Sequence, residues 1–400
     1  MSPRLGWTQS KMALGKEDTL SDTHTLKVIR PSNSACPLHV LTAYWTTPPL
    51  WPRRLLCENK SFSFSLSRGC WVTLSVTALT YFAIMDVFLF ARYRVTDLAQ
   101  DSKAGHPGEK YSPFTHLSVK AVLSDHVRHY VMTPSAEYFN ALTGFSSVFT
   151  MVTPNVISFV HLVCAFIAGK FISSDKLHDR QLGVLIYFFR TWLDSFDGTV
   201  FRSREGVHLQ YNSVYSSMGY VIDGLFDTLG GCFLTAGIIF YLYKTCSPNK
   251  YTSTLPVYCH EKAACDGMTS GHTVVSKLDC SSYRHLIVQI FGLGLCLAVT
   301  GICWDRAVKD FTEVFQTELT SKELSSLQFE LSHEPSTLVI FFFWRFLSGQ
   351  TVITYTQVAI YMDKVLEFLH YIPWVILTVT VPLYVITVIH VQQIKDQLLL

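Results

Sequence analysis

Four aspartates constrain this chain more than any other feature. Asp194, Asp197, Asp223 and Asp227 all lie in the stretch Arg190–Gly231, RTWLDSFDGTVFRSREGVHLQYNSVYSSMGYVIDGLFDTLGG. Each pair sits inside or beside a long apolar segment. A charged side chain at membrane depth costs roughly 2.5–3.5 kcal/mol or more, so it requires a partner or a water-filled cavity. Spacings of i,i+3 and i,i+4 put both acids of a pair on one face of a helix. Two such helices packed face to face would aim four carboxylates at one point. No matching set of bases stands nearby, so the expected partner is a cation. Hard oxygen donors suit Mg²⁺ or Mn²⁺, and two ions where a phosphate also bridges them. Asp194, Asp197, Asp223 and Asp227 are therefore the candidate metal ligands.

The rest of the chain agrees with a membrane setting. Only 16% of its 400 residues are charged and 14% are aromatic, and the mean hydropathy is +0.27; this composition belongs to a membrane protein rather than to soluble domains. A net charge of +2, with no basic stripe interleaved with aromatics, gives no reason to expect nucleic acid. Cys164, Cys232, Cys296 and Cys303 fall in apolar segments as small hydrophobes, and no zinc-type spacing occurs. The first twenty residues are polar and hold no signal-peptide core, so the first apolar segment is expected to direct insertion.

Read in order, residues 1–70 form a polar, Pro-containing tail, expected to be disordered. Residues 71–91 form a first transmembrane helix, long enough to cross about 30 Å, with Asp86 near one end as a snorkelling or capped acid. Residues 92–151 are polar again. Leu123, Val127 and Tyr130 share a face opposite Asp125, Arg128 and His129, which predicts an interfacial amphipathic helix with His126 and His129 on its wet side. Residues 152–395 form the membrane core. It opens at Thr153-Pro154-Asn155, where Pro is preorganised for a helix start and Asn155 is either a cap or something more. Spans follow over Leu182–Leu193 running into the first acid pair, Gly219–Tyr243, Leu286–Trp304, Ser336–Tyr361 with Arg345 inside it, and Tyr371–Val391. Arg190 reads as an interfacial snorkel. The expected fold is all-α and integral to the membrane, with seven spans.

The pattern Asp194-x2-Asp197-Gly198-x3-Arg202, then Gly219-x3-Asp223-x3-Asp227, resembles the signature of the CDP-alcohol phosphatidyltransferase family. The Pro154-Asn155 pair with the later Ser158 matches the start of that family's first core helix. The resemblance implies a six-helix core plus one N-terminal accessory helix. It also implies that Asp194, Asp197 and Asp223 hold divalent metal, that Asp227 is a ligand and the general base, and that Asn155, Gly198, Arg202 and Gly219 contact the nucleotide. Two departures stand out: Phe201 replaces the usual Ala before Arg202, and the gap Ser203–Met218 is about twice the usual length. With the accessory helix, they resemble the divergent, insect-type ceramide phosphoethanolamine synthase branch. That likeness implies CDP-ethanolamine as donor, ceramide as acceptor, Mn²⁺ or Mg²⁺ as cofactor, and a Golgi membrane. The acceptor alternatives are diacylglycerol, inositol or glycerol phosphate. A seven-span transporter or receptor is the non-enzyme alternative, disfavoured by acids clustered on two adjacent helices and by the absence of inverted repeats. A homodimer is compatible with the sequence, which specifies no oligomeric state.

Charge gives the expected orientation. The tail carries Arg4, Lys11, Lys16, Lys27, Arg30, Arg53, Arg54, Lys60 and Arg68 against Glu17, Asp18, Asp22 and Glu58, which favours a cytosolic N-terminus. Counting crossings then places the ends bearing the acids in a lumen. The base-poor loop Asp305–Pro335 agrees with this. Four cysteines, Cys246, Cys259, Cys265 and Cys280, would then face the reducing cytosol, which does not suit disulfides. The sequon Asn59-Lys60-Ser61 should stay unmodified.

Overall fold

The computed structural model describes residues 68–101, 111–205, 218–246 and 280–399, and their regular structure is entirely helical. The N-terminal tail with its sequon, the loop between Cys246 and Cys280, and residues 206–217 of the long gap lie outside the described residues. Besides the single turns Leu98–Asp101 and Phe145–Val148, the helices are α1 (Arg68–Tyr93), α2 (Val119–Leu123), α3 (Thr133–Thr143), α4 (Pro154–Ile172), α5 (Leu177–Glu205), α6 (Met218–Cys246), α7 (Cys280–Phe315), α8 (Lys322–Ser332), α9 (Pro335–Trp344), α10 (Gly349–Tyr361) and α11 (Val365–Leu398). A π-helical turn, Arg128–Met132, leads into α3. The expected acidic loop Asp305–Pro335 is largely helical, taken up by the end of α7 and by α8.

Among the described residues, α1, α4, α6, α7 and α11 are long and apolar enough to cross a membrane. The pair α9–α10, bent by 41°, meets the same test only when taken together, as a broken span or a re-entrant loop would. Helix α5, read from the sequence as a span, is 29 residues long but carries too many charges to rank with the others. It is accommodated by packing against α4, α10 and the α3 segment. The protein is thus an all-α, multi-pass membrane protein.

Small residues set the helix spacing around the acids. Lipid tails are as apolar as leucine, so helices associate in a membrane chiefly by close packing. A Cβ on Gly237 of α6 would stand 2.5 Å from the carbonyl oxygen of Gly169 in α4. One on Gly183 of α5 would stand 2.9 Å from the carbonyl oxygen of Ala168. Glycine at 183 and 237 therefore lets α4 lie against α5 on one side and α6 on the other, which brings the acid-bearing helices to a common centre.

The segment between α1 and α4 departs from its expected interfacial course. Val119, Val122 and Leu123 are buried, and so are Asp125, His126 and His129. The helix breaks at Ser124, and the polar groups that sequence periodicity assigns to water find partners inside the bundle. His126 Nε2 lies 2.8 Å from Asp86 Oδ2, and the Tyr130 hydroxyl donates to Asp86 Oδ1 at 2.7 Å. Arg345, at the α9–α10 break, pairs with Asp86 at 3.1 Å and donates to the Val122 carbonyl at 2.8 Å. Asp86 is therefore an internal anchor rather than a snorkelling acid, and His126 and His129 do not line a wet face. Removing one member of such a buried ionic set is costly because its partner is left uncompensated. The set pins the inserted segment against α1 and the α9–α10 pair.

Candidate metal and phosphate centre

The four aspartates do converge, as two overlapping groups rather than one. Ligand atoms of Asp194, Asp223 and Asp227 lie within 4.8 Å of one another, and so do those of His161, Asp194 and Asp197. Asp194 belongs to both groups. It is buried, as is Asp197, whereas the side chain of Asp227 is 41% exposed and marks the open side. Both oxygens of Asp194 and Oδ1 of Asp223 are buried without a hydrogen bond. Desolvated carboxylate oxygens are unfavourable unless compensated, and a cluster of hard oxygen donors is the set that Mg²⁺ and Mn²⁺ take. The residues present fit a divalent cation.

Asp197 and Asp227 are each aimed by a neighbouring side chain. Thr153 caps α4, its hydroxyl accepting from the Val156 amide at 3.4 Å. One turn on, the Ser158 hydroxyl donates to Asp197 Oδ2 at 2.6 Å. Arg190, one turn before Asp194, is buried rather than snorkelling. Its Nη2 donates to Asp227 Oδ1 at 2.5 Å and contacts His161 Nε2 at 3.3 Å. Arginine only donates, so His161 Nε2 is the acceptor and its ring proton sits on Nδ1. Room for the guanidinium comes from Gly230, where a Cβ would lie 2.8 Å from Nη2. Among the described residues, the hydrogen bond and ion pairs of Asp227 all run through Oδ1.

The inserted segment also reaches the centre. Arg128 Nη2 lies 3.2 Å from Asp194 Oδ2, and the acids around it hold the Arg128 guanidinium more firmly protonated than usual. Lys120 senses the same acids, although burial pulls its ammonium down to about 8. Sequence proximity alone could not show these bases, because they stand more than sixty residues before the acids they meet. His161 was missed for a similar reason, being a lone histidine in an apolar run. Its i+3 spacing from Ser158 is the one signal that puts it on the same helix face.

The remaining expected residues are placed as follows. Gly198 is beside the acids on α5, where a Cβ would meet Arg202 Nη1 at 3.2 Å. Arg202 itself is engaged by Glu137 of α3 at 2.6 Å and by the Thr199 hydroxyl at 3.1 Å. Gly219 is exposed in the first turn of α6, one turn before Asp223. Asn155 is exposed in the first turn of α4 and is not its cap, a role Thr153 fills. The start of α6 also meets α7, where the Tyr220 hydroxyl donates to Asp305 Oδ2 at 2.9 Å. The acid-rich end of α7 therefore lies at the same end of the bundle as the centre.

Fold and site together define a multi-pass helical membrane protein with a buried carboxylate centre suited to divalent cations. Comparison with known proteins narrows this. The sequence profile of the family described as ceramide phosphoethanolamine synthase matches residues 65–399. The ceramide phosphoethanolamine synthase of Drosophila melanogaster is 31% identical over 273 residues, covering 68% of this chain and 67% of that protein. No solved structure matches. The chain belongs to the ceramide phosphoethanolamine synthase family and is a membrane-embedded transferase.

Proposed function

We propose that the chain transfers phosphoethanolamine from CDP-ethanolamine to the primary hydroxyl of ceramide, releasing CMP. The observation that carries this reading is the pair of carboxylate groups sharing Asp194, in a chain of this family. Asp194, Asp197, Asp223 and Asp227 would hold the ions, with His161 beside them. When bound, Mn²⁺ or Mg²⁺ supplies charge neutralisation for the donor's diphosphate. The ceramide hydroxyl oxygen forms the new bond to the phosphorus that bears ethanolamine, and the bond from that phosphorus to the CMP oxygen breaks. Asp227 Oδ2 takes the hydroxyl proton, while Arg190 fixes the carboxylate through Oδ1. Ser158 holds Asp197, and Gly198 and Gly219 leave the helix backbones open to the nucleotide.

The centre lies where α5 ends and α6 begins. With a cytosolic N-terminus, successive crossings put that end in the lumen, and its grouping with the acid-rich end of α7 supports the same side. A Golgi membrane, with the catalytic face lumenal, fits this orientation. Purified protein incubated with labelled CDP-ethanolamine and either ceramide or diacylglycerol tests the proposal. Labelled ceramide phosphoethanolamine should form, and chelation should stop it. A product formed with diacylglycerol alone would replace the acceptor assignment with that of an ethanolamine phosphotransferase.

A further inference from the structure

The family spacing gives the phosphate contact to Arg202, yet Arg202 is committed to Glu137 and Thr199. Another guanidinium stands at the centre. Arg128 comes from the segment inserted between α1 and α4. Its Nη2 is 3.2 Å from Asp194 Oδ2, but neither Asp194 oxygen accepts a hydrogen bond from it. The contact is one of charge rather than of matched geometry. Among the described residues no hydrogen bond from the Arg128 guanidinium to another side chain is seen, and the side chain is 28% exposed where that of Asp194 is 1% exposed. The guanidinium thus stands against a buried acid while remaining partly exposed itself.

Its backbone is held firmly. Arg128 begins the π-helical turn, a distortion that recurs at functional sites. Its amide donates to Asp125 Oδ1 at 3.0 Å, and the next residues, His129, Tyr130 and Met132, are buried. A planar fork of donors matches phosphate oxygens in a way a point charge does not.

The structure assigns to Arg128 the contact with the diphosphate of the nucleotide donor, an assignment that rests on the donor reading above. Arg128 balances the charge of Asp194 across 3.2 Å. With a divalent cation on Asp194 that balance is no longer needed, and the fork is available to a diphosphate oxygen. Arg128 therefore competes with the metal and cooperates with the nucleotide.

The test uses full-length protein in nanodiscs. Mn²⁺ binding is read by electron paramagnetic resonance without nucleotide, and CDP-ethanolamine binding is read by equilibrium dialysis with Mn²⁺ present. Arg128→Ala should bind Mn²⁺ as tightly as wild type or more tightly, while its Kd for CDP-ethanolamine rises at least tenfold. Arg128→Lys keeps the charge without the fork and should weaken nucleotide binding by at least threefold. Arg202→Ala should leave nucleotide binding unchanged. Wild-type nucleotide affinity in both Arg128 variants overturns the assignment alone, and so does loss of Mn²⁺ binding in both. A tenfold loss confined to Arg202→Ala returns the contact to Arg202. Wild-type protein that binds Mn²⁺ but no CDP-ethanolamine overturns the donor reading and this assignment together.

Discussion

Two neighbouring glycines on α6 should respond oppositely to the same substitution. In general, alanine favours a helix over glycine by about 0.8–1.0 kcal/mol. At Gly231 a Cβ meets nothing within 4 Å, so Gly231→Ala should leave stability unchanged or raise it by up to that amount. At Gly230 the Cβ would stand 2.8 Å from Arg190 Nη2, 3.1 Å from its Cζ and 3.2 Å from its Nε. Ordinary contact would require the guanidinium to retreat by about half an ångström. It is buried, with His161 and Asp227 as its partners. A hydrogen bond to a charged group is worth about 1.5–3 kcal/mol, and overpacking costs about 1–3 kcal/mol. Against the helix gain, Gly230→Ala should lose about 1–3 kcal/mol net and should misplace Asp227. Thermal unfolding in detergent, with turnover measured on the same preparations, reads both effects. A Gly230→Ala protein as stable and as active as Gly231→Ala would refute the view that Arg190 positions Asp227.

Other outcomes follow from the same geometry. Asp194→Asn, Asp197→Asn and Asp223→Asn should each reduce transfer to background, and near-normal turnover in any of them would remove that acid from the centre. Asp227→Asn should lower kcat while CDP-ethanolamine binding persists; loss of binding instead would make Asp227 chiefly a ligand. Gly237→Ala sets a Cβ 2.5 Å from a backbone carbonyl that cannot turn aside, so α4 and α6 must part, and melting should fall by more than for Gly231→Ala. His129 is held by burial at about 3, below the ordinary 6.5. Its unfolded form binds the extra proton between those values, so its stabilisation is complete above pH 6.5. It is lost on acidification at up to about 1.4 kcal/mol per pH unit. His129→Gln should therefore show a smaller fall in melting temperature between pH 7.5 and 5.5, and an unchanged fall would place the acid sensitivity elsewhere.

The acids and their helices were legible because they obey local rules. Pairs at i,i+3 and i,i+4 within apolar runs can be read from spacing alone, as can the Pro154 start of α4. What surrounds them was not. Arg128 and Asp194 are 66 positions apart in the chain, and their meeting depends on a segment whose helical periodicity is broken at Ser124 and again at the π turn. Reading that segment as one continuous helix put Asp125, His126 and His129 in water, whereas the Arg128 amide, Asp86 and the Pro113 carbonyl respectively partner them in the interior. Arg190 looked like a snorkel because nothing in its neighbourhood announces Gly230, forty residues later, as the space that admits it. Helix α5 is less apolar than the other spans for the reason that makes it the centre of the site: its arginines and aspartates face charged and polar neighbours inside the bundle.

Mn²⁺ binding to purified protein, titrated by electron paramagnetic resonance, bears most directly on the carboxylate centre. Wild type is expected to bind Mn²⁺, and Asp194→Asn should lose that binding because Asp194 is common to both groups of candidate ligands. Unchanged Mn²⁺ binding in Asp194→Asn would contradict the assignment of these four aspartates as the metal centre.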